Sequence, residues 1–155
     1  MESDGMKPRI SVSMEEHFAL ENALIDYLVA VDGLDDLDQM MDCFTEDAVL
    51  DLTGLNLGHY DGADAIRGFF AGVFETMELH MHTMSNFRVT EYSDNDARVY
   101  AYVNGMGRSR AGVDVQIYVY YDLRMRRTAN GWKISHFYEA PKLLMSETVE
   151  RAFAD

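Results

Sequence analysis

The sequence predicts an α+β fold, with helices packed on one face of a curved, antiparallel or mixed β-sheet. Three observations carry the prediction. Apolar residues recur about every 3.6 positions through most of the first half. The period falls to 2 after Met77. The clusters SDND near residue 94 and TANG near residue 129 stand where turns between long antiparallel strands belong. Helices followed by a run of strands is the order of an α+β domain. At 155 residues the chain suits one domain with one sizeable core.

Residues 1–12 read as a flexible leader. Ser13 is placed to cap a helix, with Glu15 and Glu16 in its positive first turn. Apolar residues at helical spacing then run through Leu24, Tyr27, Leu28 and Val31, and Gly33 reads as the stop. A short helix is expected over residues 37–44, and a strand over 48–52. Three glycines between Gly54 and Gly62 mark turns or a short hairpin. A third helix follows from Asp61, with Ile66, Phe69, Phe70 and Phe74 on one side. Strands are expected at 79–90, 97–103, 115–126 and 132–139. The domain is thus read as residues 13–141. The tail, 142–155, reads as a possible last helix over a pocket or an interface.

A formal net charge of −14 repels phosphate backbones, which argues against nucleic acid and anionic membranes as partners. The single cysteine, Cys43, rules out an internal disulfide and fits a reducing, cytoplasmic setting; it reads as buried filler. The opening MESDGMKPRISVSM lacks the pattern of a signal peptide, and no apolar window approaches a membrane span.

One residue breaks the first helix's pattern. Leu24, Leu28 and Asp32 lie at i, i+4 and i+8, so an apolar stripe ends in a carboxylate. Such a group is costly to bury without a hydrogen-bond partner. A helix-end cap in solvent would explain it; so would an inward Asp32 that meets a partner. The stretch LHMHTMSN offers one, because His80, His82, Met84 and Asn86 share a strand parity. A carboxylate that holds one imidazole nitrogen leaves the other free as a general base. The same H-x-H could ligate a metal, but a third ligand would have to come from the fold, and none is expected.

The order of helix, D-x-x-D, FTEDAVLDL, G-x-Y-x-G, helix, H-x-x-x-N and a final GWKISH strand resembles the nuclear transport factor 2-like superfamily, and within it the SnoaL-like branch. The likeness spans roughly residues 14–140. It implies a cone-shaped fold around a deep apolar pocket, and chemistry without a cofactor. The Asp at the end of the first helix and the His on the third strand resemble the Asp–His dyad of scytalone dehydratase, bile acid 7α-dehydratase and lindane dehydrochlorinase. Carried over by position, Asp32 and His82 form the dyad and Tyr27 stands near it. Tyr60, in GHYDG, falls where such pockets are lined. The resemblance also implies an oligomer, a homodimer or homotrimer.

The remaining wall of the expected pocket is drawn from Leu50, His80, Val103, Tyr118, Tyr120 and Phe137. The inward parity of the last strand is read as Lys133, Ser135 and Phe137, where some relatives carry an arginine; Trp132 and His136 are read as core or interface. The leading expectation is a lyase or isomerase acting on a small hydrophobic ring compound: a steroid, a polyketide or an aromatic-derived molecule. The alternative is a non-catalytic binding protein or a structural subunit, similar to the small β subunit of ring-hydroxylating dioxygenases.

Overall fold

The computed structural model describes residues 8–143 and 152–154. Helix α1 (Met14–Gly33) begins as the sequence predicts. The Ser13 hydroxyl accepts the Glu16 backbone N–H at 3.2 Å, with Glu15 and Glu16 in the first turn. Replacing Ser13 by alanine is expected to cost about 1 kcal/mol, read as a lowered urea midpoint. The helix runs through Gly33, and the left-handed residue that ends it is Leu34 (φ 54°) rather than the glycine. Leu20, Leu24, Tyr27, Leu28 and Val31 form its buried stripe, each worth roughly 1.5–3 kcal/mol of apolar burial.

Helix α2 (Leu37–Met41) is capped by Asp36. It stops short of Phe44, which opens strand β1 (Phe44–Asp51). A 3-10 turn (Thr53–Leu55) and strand β2 (His59–Asp61) fold back on β1 as the short hairpin that the glycines predict. Helix α3 (Ala63–Thr76) buries Ile66, Phe70 and Val73. Four strands follow: β3 (Met77–Tyr92), β4 (Asp96–Ser109), β5 (Asp114–Thr128) and β6 (Gly131–Pro141). All are longer than the predicted segments.

The six strands form one open mixed sheet in the order β2-β1-β6-β5-β4-β3. Strand β6 slots between β5 and β1, pairing antiparallel with the first and parallel with the second. One sheet face carries Val99, Ala101, Val103, Val119, Tyr121, Leu123, Ile134 and Phe137 into the core shared with α1 and α3. The opposite face carries a separate tyrosine cluster: Tyr100, Tyr120, Tyr102 and Tyr138. Among the described residues, no helix is long and apolar enough to cross a membrane.

Two irregularities reset strand parity. In β3 the register shifts between Ser85 and Arg88, with Asn86 in the left-handed region (φ 56°). Asn86 is therefore exposed, and does not share the face of His80, His82 and Met84. In β6 the pairing passes from Arg124↔His136 to Met125↔Ile134, which leaves Ser135 as the extra residue of a bulge. The residues of β6 buried on the core face are thus Trp132 and Ile134 before the bulge, and Phe137 and Glu139 after it; Lys133 and Ser135 are only half-buried. Trp132 is core, as predicted, with its Nε1–H donating to Glu16 at 3.2 Å and the Arg127 guanidinium 4.4 Å over its ring.

At the leader's described end, the Ile10 N–H donates to the Val89 carbonyl at 3.0 Å, which ties that segment to β3. The predicted tail helix lies mostly outside the described residues. Of the part described, Phe153 packs against the core.

Candidate active site

Asp32 sits in the last turn of α1 and points at β3. Its Oδ1 accepts from His82 Nδ1 at 2.5 Å, and its Oδ2 accepts from the His82 backbone N–H at 2.9 Å. The side chains are mostly shielded, with His82 11% and Asp32 23% exposed. A carboxylate oxygen can only accept, so Nδ1 carries a proton, and in the neutral ring Nε2 is the nitrogen with the lone pair. Two bonds from one carboxylate fix both the tautomer and the position of the ring.

His80 stands beside this pair, its ring 5.1 Å from that of His82 and edge-on to it. Its Nδ1 donates to the Val31 carbonyl, 3.2 Å away. Burial pushes its imidazole below the usual range, and the neighbouring His82 adds to this; the Val31 carbonyl and Asp32 oppose it. His80 is therefore held neutral near pH 7.

Both imidazoles have room because of two glycines that the sequence reading missed. Gly105 pairs with His82, and Gly107 with His80, across β3 and β4. A Cβ at Gly105 would lie 3.1 Å from His82 Cδ2. One at Gly107 would lie 2.5 Å from the Leu79 carbonyl oxygen. That oxygen belongs to the ladder and cannot swing away. Gly107→Ala is expected to destabilise the fold by about 1–3 kcal/mol, measured by urea unfolding. The signal was present as N-G-M-G opposite H-M-H, but the predicted strand ended at residue 103.

His80 and His82 line a largely apolar cavity of about 100 Å3. Its wall comes from Val31 of α1, Leu50 of β1, Leu55 of the 3-10 turn, Phe69, Phe70 and Val73 of α3, and Ile117 of β5. Tyr27, Tyr121 and Glu139 supply its other polar groups, and Phe153 also borders it. Tyr27 is buried, with its ring against Phe44, Phe70 and Phe137. Burial, above all, raises the hydroxyls of Tyr27 and Tyr121 well above the ordinary range, with Glu139 the next contributor to each. Both stay protonated and able to donate. Glu139 was not foreseen. It is 7% exposed, and desolvation raises its carboxyl to about 7 although His82 and the Tyr121 hydroxyl favour its charged form. It shares the parity of Phe137, which was expected to face inward, but the inward residues were followed only as far as Phe137.

The other expected pocket residues divide. Leu50 and His80 line the cavity. Phe137 lies one layer behind, packed on Tyr27 and Tyr121. Val103 is buried in the core away from the cavity. Tyr60 is also outside the lining; its hydroxyl donates to the Leu57 carbonyl at 2.7 Å and its ring lies on Phe69, so it braces the wall. Tyr118 and Tyr120 are on the wrong face of the sheet. Tyr120 stacks on Tyr100 and Tyr118 is 41% exposed, while their odd-numbered neighbours Val115, Ile117 and Tyr121 face the cavity. The odd positions of β5 (Val115, Ile117, Val119, Tyr121, Leu123, Met125) are apolar, while Tyr118 and Tyr120 share their parity with Gln116, Asp122, Arg124 and Arg126, so alternation already marks theirs as the outer face.

Asp32, His80 and His82 each place a ligating atom within 4.8 Å of the others, a set that could hold a metal ion. The Nδ1 atoms of His80 and His82 are already spent on the Val31 carbonyl and Asp32, so a cation would have to use the Nε2 atoms or break these bonds. The Cys43 thiol, pushed up to about 11 chiefly by burial, is no nucleophile near neutrality.

A family model described as a SnoaL-like domain matches residues 12–138. No curated protein matches the chain. Among solved structures, a Novosphingobium aromaticivorans protein provisionally named an aromatic ring hydroxylase is 38% identical, with a TM-score of 0.88; the match covers 92% of this chain and 99% of that one. A second protein from the same organism, provisionally named a scytalone dehydratase, is 21% identical with a TM-score of 0.77, over 84% and 86% of the two chains. A hexachlorocyclohexane dehydrochlorinase from Novosphingobium barchaimii is 18% identical with a TM-score of 0.71, over 84% and 88%. The last two share the fold of this chain, that of the nuclear transport factor 2-like superfamily.

Proposed function

We propose that this chain, which belongs to the SnoaL-like domain family, is a cofactor-independent lyase or isomerase that takes a proton from a carbon of a small hydrophobic ring compound. The observation that carries this reading is the pair of hydrogen bonds that the Asp32 carboxylate accepts from the Nδ1 and the backbone N–H of His82, beside an apolar cavity. His82 Nε2 is the general base. Asp32 holds the ring and balances the imidazolium charge as it forms. Tyr27, with its hydroxyl kept protonated, is placed to polarise a carbonyl or a departing hydroxyl. A void of about 100 Å3 favours a single ring over a fused steroid, since an apolar cavity of ~150 Å3 takes a benzene.

The names of the fold relatives, a dehydratase and a dehydrochlorinase, support elimination as the reaction class. The provisional name of the 38%-identical protein, an aromatic ring hydroxylase, supports a second reading: a subunit accompanying a ring-oxidising partner. The two separate experimentally. In D2O, a lyase or isomerase converts single-ring β-hydroxy ketones or halocyclohexanes to alkenes, or exchanges deuterium at the activated carbon, as NMR would read. A protein that binds these rings but leaves every C–H bond intact, and co-purifies with an iron–sulfur partner, would be the subunit instead.

A further inference from the structure

Among the described residues Glu139 is the one carboxyl that lines the cavity, and the Asp32–His82 pair does not use it. The Ser135 bulge turns it inward at the end of β6, and Gly54 packs so tightly on its backbone that a Cβ there would come within 2.9 Å of the Glu139 carbonyl oxygen. The polar groups that share the cavity with it come from three elements: Tyr27 from α1, His80 and His82 from β3, and Tyr121 from β5. What β1, the 3-10 turn and α3 add to the wall is apolar, and no Lys or Arg lines the cavity among the described residues. A buried carboxyl with no cation is an expensive way to fill space. Leucine or glutamine would pack there without the penalty. The group earns its place only if its proton is used.

We propose that Glu139 is the general acid of this cavity, giving its carboxyl proton to the leaving group while the Tyr121 hydroxyl steadies it. The proposal rests on the reading of His82 as the base. His82 Nε2 takes a proton from the substrate carbon, and the C–H electron pair becomes the new C=C bond. The carbon–oxygen bond breaks with its pair on oxygen, which takes the Glu139 proton and leaves as water. The protein is left with an imidazolium and a carboxylate, and it resets when the proton passes from His82 to Glu139 through solvent. Glu139 is held at about 7, chiefly by burial, so near neutrality a large share of molecules carry the proton to be given. A wall with a carboxyl and, among the described residues, no Lys or Arg disfavours anionic substrates. The class it fits is an uncharged, single-ring β-hydroxy ketone.

The test compares 3-hydroxycyclohexanone with 3-chlorocyclohexanone, a poor and a good leaving group on one ring, in wild type, Glu139→Gln and His82→Ala. Glu139→Gln should lose on the order of 10²-fold more rate with the hydroxy compound than with the chloro compound. The hydroxy rate of wild type should fall above about pH 7, and that of Glu139→Gln should not. Equal losses on both compounds would make Glu139 a packing residue and overturn the proposal while leaving the base intact. A His82→Ala protein unchanged on both would overturn the underlying reading instead. If wild type turns over neither probe, infrared spectroscopy of wild type minus Glu139→Gln decides. A carboxylic acid band that persists near neutrality and shifts on adding cyclohexanone supports the role, and a group that ionises with ordinary carboxylates ends it.

Discussion

Replacing His82 by alanine is expected to lower turnover at least about 10³-fold while the protein stays folded, since a positioned base contributes about 10²–10⁴-fold. The fold survives because Asp32 keeps its bond to the backbone N–H at position 82 and retains access to water at 23% exposure. Asp32→Asn should come close to the same loss. It leaves the imidazole with neither a fixed tautomer nor a counter-charge for the imidazolium. The double variant should be barely worse than His82→Ala alone, since the two residues act as one unit. Rates on one ring substrate in all four proteins, with circular dichroism as the control for folding, would check this. Losses that simply multiply would mean that Asp32 and His82 serve turnover separately, and a His82→Ala protein within about tenfold of wild type would remove the base from the mechanism.

The contact between Asp32 and His82 was legible in the sequence. Asp32 ends an apolar helical stripe, and His82 shares the parity of a strand that faces that helix. Local rules also placed the Ser13 cap and the turns near residues 94 and 129. What escaped depends on pairing between strands. Nothing local says that β6 would insert beside β1 and run parallel to it. Nor does alternation foresee a bulge. The extra residue at Ser135 moved Lys133 off the inner face in favour of Trp132 and Ile134, while Phe137 and Glu139 beyond it keep the expected parity. Asn86, at a positive φ that asparagine tolerates better than most residues, did the same in β3. Tyr118 and Tyr120 failed for another reason. Their aromatic rings suit a pocket wall, yet their parity also holds Gln116, Asp122, Arg124 and Arg126, which marks the outer face.

The buried carboxyl at Glu139 should also make the stability of the protein depend on pH in an unusual direction. Its folded value is about 7 against an ordinary glutamate value of 4.5, raised by desolvation. The folded protein therefore holds a proton that the unfolded chain has already released between those two values. The group contributes its full stability below about pH 4.5, and that contribution is lost as pH rises toward 7. Across this window the loss is on the order of 3 kcal/mol. Glu139→Gln keeps the shape and removes the titration. It should therefore be closest to wild type near pH 4.5 and gain on it steadily toward pH 8, by that same amount. Urea midpoints of the two proteins at several pH values would measure the difference directly, with every other titrating group cancelling to first order. A difference that stays flat across the window would mean that the Glu139 carboxyl ionises as freely in the folded protein as in the unfolded chain. Water would then reach it, and the cavity would not be the dry, apolar site in which His82 can act on carbon.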